Sequence, residues 1–176
     1  MIRRCTDDDV PVIDAIINEA AAAYSGVIPA DCWHEPYMKR SELAAEIASG
    51  VQFWGWEDAG ALACVMGLQR VRDATLIRHA YVRPSHQSRG IGAALLTQLS
   101  SETAGPLLVG TWAAAEWAIK FYERHGFRLV GAEEKDRLLS TYWSISSRQR
   151  ETSVVLTRVR AAVGDRGDES HARVTR

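Results

Sequence analysis

The sequence predicts an α/β (α+β) domain: one mixed, mostly antiparallel central sheet of about 6–7 strands, with helices on both faces. Three observations predict it. The stretch "VQFWGWEDAGALACVMGLQRVRDATLIRHAYV" contains three strand-like apolar runs in series, parted by turn residues. "GIGAALLTQLS" then reads as a helix and "PLLVGTW" as a strand, and strand, helix, strand implies a parallel pair with a right-handed crossover. Finally, 176 residues that are 47% hydrophobic and 24% charged suit a globular chain able to bury one core.

Taken in order, "IRR" opens a short strand. Thr6 or Asp7 caps a helix with acids in its first turn and Val10, Ile13, Ile16 and Ile17 at helical spacing. Gly26, Pro29 and Pro36 break the pattern in "SGVIPADCWHEPYMKR", and "SELAAEIASG" is a short helix closed by Gly50. The meander follows, with a hairpin turn at "EDAG". After the crossover, "AAAEWAIKFYERHGF" places Ala114, Trp117, Ala118 and Phe121 on one helical stripe, with Gly126 at a left-handed C-cap. "FRLVG" and "TSVVLTRV" are two further strands. Residues 1–160 are read as one domain. Residues 161–176, with little to bury and mixed charge, are read as a disordered tail.

Charge and composition narrow the function classes. A net charge of -1 gives nucleic-acid binding no electrostatic support, and no run reaches the length of a membrane helix, so neither partner is expected and a cytoplasmic location is. Cys5, Cys32 and Cys64 are odd in number and lack metal-ligand spacing, so neither a metal nor a disulfide is expected.

The stretch "VRPSHQSRGIGAALL" carries the chemistry. A strand ending at Val82, a turn, and a helix starting near Gly90 aim free N–H groups and a helix dipole at one point, which suits a phosphate. Gly90 and Gly92 let backbone approach a ligand closely, and Gln87, Ser88 and Arg89 offer further donors. A glycine-rich turn that only joins strand to helix is the alternative. The loop lacks the G-K-[ST] ending of an NTPase phosphate loop and the G-x-G-x-x-G of a dinucleotide fold.

"QSRGIG" resembles the Q/R-x-x-G-x-G/A pyrophosphate loop of the GNAT superfamily of acyl-CoA-dependent N-acyltransferases. "WAIKFYERHGF" is similar to that family's later A-x-x-[LF]-Y-x-x-x-G-F signature, and order and separation both match. The resemblance spans Ile2 to Val159. It implies a GNAT-type sheet in which two parallel strands part in a V-shaped splay, here between the "AYV" and "LVGTW" strands. It also implies acetyl-CoA as cosubstrate, with no metal. By that similarity Gln87, Ser88, Arg89, Gly90, Ile91, Gly92 and Ala93 wrap the pyrophosphate, and the backbone of Ala80, Tyr81 and Val82 pairs with the pantetheine arm.

Amide formation needs a neutral amine and a proton for the departing thiolate. Tyr122 matches the family's tyrosine acid; a core tyrosine with its hydroxyl at the rim is the alternative. Two residues compete as base. His79 titrates near neutrality beside the pantetheine strand, and alternation points it with Ile77 and Tyr81, although a satisfied core histidine is an equal alternative. Glu35 lies in "DCWHEPYM", with Asp31, Trp33, His34 and Tyr37, where the superfamily builds part of its acceptor pocket. These rings and acids suit a polar or cationic amine, or else merely pin the loop. Trp33, Tyr37, Thr111 and Trp112 are the candidate substrate-binding residues. Ala115 stands where many members carry asparagine, and Thr111 is the candidate to replace that contact. "EEKDRLLSTYWSISSRQRETS" is read as a second pocket loop.

The expected function is direct transfer of an acetyl group from acetyl-CoA to a primary amine of a small molecule in a ternary complex. The competing class is a non-catalytic acyl-CoA sensor or assembly module. A homodimer is compatible with the six tryptophans and common in the family.

Overall fold

The computed structural model describes residues 1–158; the tail read at 161–176 lies outside the described residues. The elements run β1 (Ile2–Arg4), α1 (Val10–Ala21), α2 (Arg40–Ala48), β2 (Gln52–Asp58), β3 (Ala61–Val71), β4 (Ala74–Val82), α3 (Ile91–Glu102), β5 (Leu107–Trp112), α4 (Glu116–Arg124), β6 (Arg128–Leu129), α5 (Ala132–Tyr142), α6 (Ser147–Thr152) and β7 (Ser153–Arg158). The strands form one seven-stranded sheet, ordered β1-β2-β3-β4-β5-β7-β6. Among the described residues only β4 and β5 pair in parallel.

Local chemistry explains the early elements. The Asp9 carboxylate accepts the Thr6 N–H at 2.8 Å and a two-pronged contact from Arg3 at 2.8 and 2.9 Å, which fixes the start of α1 against β1. Between Asp58 and Ala61 the chain turns on Ala59 and Gly60, at φ 49° and 82°. Two positive φ values are what a tight hairpin of this hand requires.

The helices divide between the two faces. On one, α1 and α2 cover Phe53 and Val65, with Ile13, Ile16, Ile17 and Leu43 at 0–1% exposure. Farther along that face, Leu138 and Leu139 of α5 pack with Leu76, Leu108 and Val155. On the other, Leu95, Leu96 and Leu99 of α3 and Tyr122 of α4 pack with Met66, Ile77, Val109 and Leu156.

Two features open the sheet. The parallel ladder runs only from Thr75↔Leu107 to Ile77↔Val109. Beyond it β4 continues beside β3, while Gly110, Thr111 and Trp112 pair with β7. The β4 edge from Arg78 to Val82 therefore has no strand partner toward β5, and the two strands part. The second feature is a bulge. Val65 faces Tyr81 and Gly67 faces Arg78, so Met66 alone opposes both His79 and Ala80, and His79 takes φ 51°. Gly67 is required there, because a Cβ on it would lie 2.9 Å from the Arg78 carbonyl oxygen.

The bulge splits the expected alternation: His79 keeps the side of Tyr81, which packs with the α1 and α2 core, but leaves that of Ile77. Alternation put it with Ile77 and Tyr81, but the extra residue shifts the side-chain period. Ile77 packs with the α3 and α4 core, whereas His79 turns to α2 and stacks on Phe53 at 6.2 Å. The segment read as a second pocket loop is also corrected: it forms α5 and α6. Glu133 and Glu134 sit in the first turn of α5, and Ser146 accepts the Gln149 N–H at 3.2 Å to cap α6. "FRLVG" contributes only the two paired residues of β6.

Candidate active site

A cleft of about 650 Å³ lies where β4 and β5 part. Its walls come from β3 (Cys64, Met66), the Ala80–Val82 end of β4, the start of α3, the Trp117, Ala118, Phe121 and Tyr122 side of α4, and Ala20, Ala23 and Tyr24 at the end of α1. Elements from both faces of the sheet thus meet in one slot.

At one end the backbone is arranged for an anion. Gly90 caps α3 at φ 76°, a left-handed conformation that glycine adopts without strain. The first backbone N–H to be bonded in α3 is that of Ala94, to Gly90, at 3.0 Å. Among the described residues, the N–H groups of Ser88 to Ala93 have no acceptor. These donors and the helix dipole together suit a diphosphate. A Cβ on Gly90 would meet nothing within 4 Å, so the space in front of the loop is open, and the residues fit the diphosphate of acetyl-CoA. A Cβ on Gly92 would instead touch Val82 at 3.1 Å, which shows how closely α3 approaches β4.

Of the residues expected at the cofactor, Ala80, Tyr81, Val82, Gln87, Ser88, Gly90, Ile91, Gly92 and Ala93 line the cleft. Arg89 does not; its guanidinium pairs with Asp58 at 3.2 Å, and His86 lies 3.5 Å from the same carboxylate. The Gln87 amide donates to the Val82 carbonyl at 3.2 Å, so this side chain closes the turn.

Tyr122 lines the same cleft and is 5% exposed, held edge-on between Phe121 and Phe127 at 5.2 and 5.3 Å. Burial, then the nearby Tyr24 phenol and Cys64 thiol, push its hydroxyl well above the ordinary phenol range. It stays protonated at neutral pH and can donate a proton. Burial likewise pushes the Cys64 thiol up to about 12, so it is no thiolate.

The two candidate bases are elsewhere. His79 Nε2 lies 3.1 Å from a Glu46 carboxylate oxygen, whose partner oxygen accepts from Arg78 at 2.6 Å. Burial raises the Glu46 pKa, but the hydrogen bonds and charges of His79 and Arg78 outweigh it and hold the carboxyl below its usual value. Glu35 is exposed in the α1–α2 loop. Neither His79 nor Glu35 lines the cleft.

The other end of the slot holds an aromatic network that the sequence did not single out as a unit. Trp112 Nε1 donates to Tyr37 Oη at 2.8 Å. Tyr24 lies edge-on to Tyr81 at 6.4 Å and tilted against Tyr37 at 5.4 Å. Tyr24 stacks on Trp117 at 5.8 Å, and Tyr37 on Trp33 at 5.8 Å and His34 at 6.2 Å. Trp33, Tyr37, Thr111 and Trp112 are thus brought together, joined by Tyr24, which the sequence reading does not mark, and by Trp117 of the helical stripe. The α1–α2 loop is tied to α6 by Arg148, which contacts both oxygens of Asp31 at 2.8 and 3.1 Å. Ala115 is fully buried at the start of α4.

Among the described residues, no group of three or more His, Cys, Asp or Glu side chains is placed to hold a metal, and no helix is long and apolar enough to cross a membrane.

Comparison with known proteins agrees with this architecture. Residues 12–141 match the family model described as an acetyltransferase (GNAT) domain. The chain is 26% identical over 148 residues to peptidyl-lysine N-acetyltransferase YiaC of Escherichia coli K12, covering 83% of this chain and 95% of that one. The PaiA N-acetyltransferase of Thermoplasma acidophilum, solved in complex with coenzyme A, has a similar fold: TM-score 0.67, 15% identity, 90% of this chain and 98% of that one. So does the ribosomal-protein-S18-alanine N-acetyltransferase of E. coli, at TM-score 0.65, 19% identity, 94% and 97% coverage. With the family model spanning most of a chain whose sheet parts between its one parallel pair, this protein belongs to the GNAT family and is an acetyl-CoA-dependent acyltransferase.

Proposed function

We propose that this enzyme transfers the acetyl group of acetyl-CoA directly to a primary amine of a small molecule, both substrates being bound at once, with Tyr122 as the acid. One observation carries this reading: a protonated, cleft-facing phenol shares its slot with the unpaired N–H groups at the start of α3. The N–H groups of Ser88 to Ala93 receive the diphosphate. The unpaired β4 edge at Ala80 to Val82 accepts the pantetheine amides as an added strand would. That places the thioester at the parting of the strands, beside Tyr122, which gives its proton to the sulfur as the bond to the acetyl carbon breaks.

The amine must arrive neutral, and an alkylamine has a pKa of about 10.4. With His79 committed to Glu46 and Glu35 exposed on its loop, the surplus proton is assigned to water. The acceptor end supports an amine: the rings of Tyr24, Trp33 and Tyr37 gather there, and aromatic faces attract an ammonium. A lysine side chain of a protein is the second reading, favoured by the likeness to YiaC.

The test is thiol release from acetyl-CoA, followed with phenethylamine, spermidine and a lysine-containing peptide. Amine-dependent release with phenethylamine preferred supports the first reading, and preference for the peptide replaces it with the second. Release that no amine accelerates overturns both.

A further inference from the structure

We infer that Tyr24 positions the attacking amine, its hydroxyl oxygen accepting a hydrogen bond from the amine nitrogen on the wall of the slot across from Tyr122. This rests on the acetyl-transfer reading of the cleft and adds a residue to it.

Tyr24 ends the short turn Ala22–Tyr24 that follows α1, on one face of the sheet, while Tyr122 belongs to α4 on the other. Both line the cleft because β4 and β5 have parted. The Tyr24 hydroxyl on one wall and the Tyr122 hydroxyl on the other leave the thioester between them. The sulfur side is taken by Tyr122, so the nucleophile's side is that of Tyr24.

The Tyr24 ring is held rather than free: it is fixed between Trp117 at 5.8 Å and Tyr37 at 5.4 Å, with Tyr81 edge-on at 6.4 Å. Tyr37 in turn stacks on half-buried Trp33 and exposed His34. The rings therefore form a continuous path from the surface of the α1–α2 loop to Tyr24, along which an amine can be passed from face to face.

Burial pushes the Tyr24 hydroxyl up to about 12, so it acts through its lone pair and does not become a phenolate. In the step itself the amine lone pair forms the C–N bond to the acetyl carbon. The C–S electron pair leaves with sulfur, which takes the Tyr122 proton. The surplus proton on nitrogen goes to water, and water returns one to Tyr122. An N–H bond to Tyr24 turns the nitrogen lone pair toward the acetyl carbon before attack.

Tyr24→Phe keeps the ring stack and removes only the hydroxyl. The expected result is a fall of about tenfold in kcat/KM for the preferred amine of the panel, the scale of one hydrogen bond, with the Kd for acetyl-CoA unchanged by calorimetry. Unchanged kcat/KM in a folded Tyr24→Phe overturns the inference, as does an equal loss in acetyl-CoA affinity, which would mark Tyr24 as part of the wall. A wild-type enzyme that acetylates no amine overturns instead the reading beneath it.

Discussion

His79 Nε2 lies 3.1 Å from the Glu46 carboxylate, on the face of the sheet turned away from the α3 and α4 core. The pair secures the β4 bulge within the unpaired edge, immediately before Ala80. Glu46 thus holds both Arg78 and His79 on the strand proposed to receive acetyl-CoA, and His79 is its partner rather than a residue of the cleft.

Glu46→Gln is expected to cost roughly 1–2 kcal/mol of stability, since Arg78 and His79 lose a charged partner that is itself partly exposed. The sign with pH follows from the depressed carboxyl. Its contribution is present above the unfolded carboxylate value of about 4.3 and is lost as pH falls through the lower native one. Urea titrations of wild type and variant should differ by a constant amount at neutral pH and converge in acid. His79→Ala should leave the acidic limb of the pH–rate profile in place; disappearance of that limb would return His79 to the chemistry.

Gly90→Ala tests the loop with little steric disturbance of the protein, because the added Cβ meets no atom within 4 Å. A left-handed alanine costs about 1–2 kcal/mol, which thermal unfolding will register. The methyl group stands where a diphosphate would approach, so the Kd for acetyl-CoA should rise at least tenfold by calorimetry, with an equal penalty for free CoA.

Tyr122→Phe retains the packing between Phe121 and Phe127. Turnover should fall by roughly 10²–10⁴ with acetyl-CoA binding intact. Because the phenol is held well above its usual range, wild-type kcat should not decline through its ionisation until above about pH 10. Stopped-flow thiol release across that range checks both statements, and wild-type turnover in the variant would remove Tyr122 as the acid.

Gly67→Ala should destabilise the protein by about 1–3 kcal/mol, since its Cβ would sit 2.8 Å from Val51 Cγ1 and 2.9 Å from the Arg78 carbonyl. The neighbour that must yield is backbone, and it belongs to the bulge. Chemical denaturation measures the loss, and a rise in the KM for acetyl-CoA should accompany it.

Local patterning carried much of this molecule. The spacing of Ile13, Ile16 and Ile17 placed α1, the turn residues of "EDAG" placed the β2–β3 hairpin, and Gly90 marked the start of α3. Each depends on neighbours within a few residues, so one sequence suffices. Tyr122 was legible through its place in the family-like signature and not through periodicity, since the stripe of Ala114, Trp117, Ala118 and Phe121 leaves it out, yet it is the buried residue of α4 that packs with α3. α5 was less legible: its charged start hid Leu138 and Leu139, whose burial depends on β7 being the far side of the sheet.

Only the tertiary structure decided the direction of His79 and the company of Tyr24. A bulge is a relation between two strands, set here by Gly67 opposite Arg78, and one extra residue reverses every side chain after it. Tyr24, Tyr37, Tyr81, Thr111 and Trp112 come from four separate segments, and no period along the chain connects them. They meet because β4 and β5 stop pairing after Ile77 and Val109, and the space thus opened is closed by residues from both faces of the sheet.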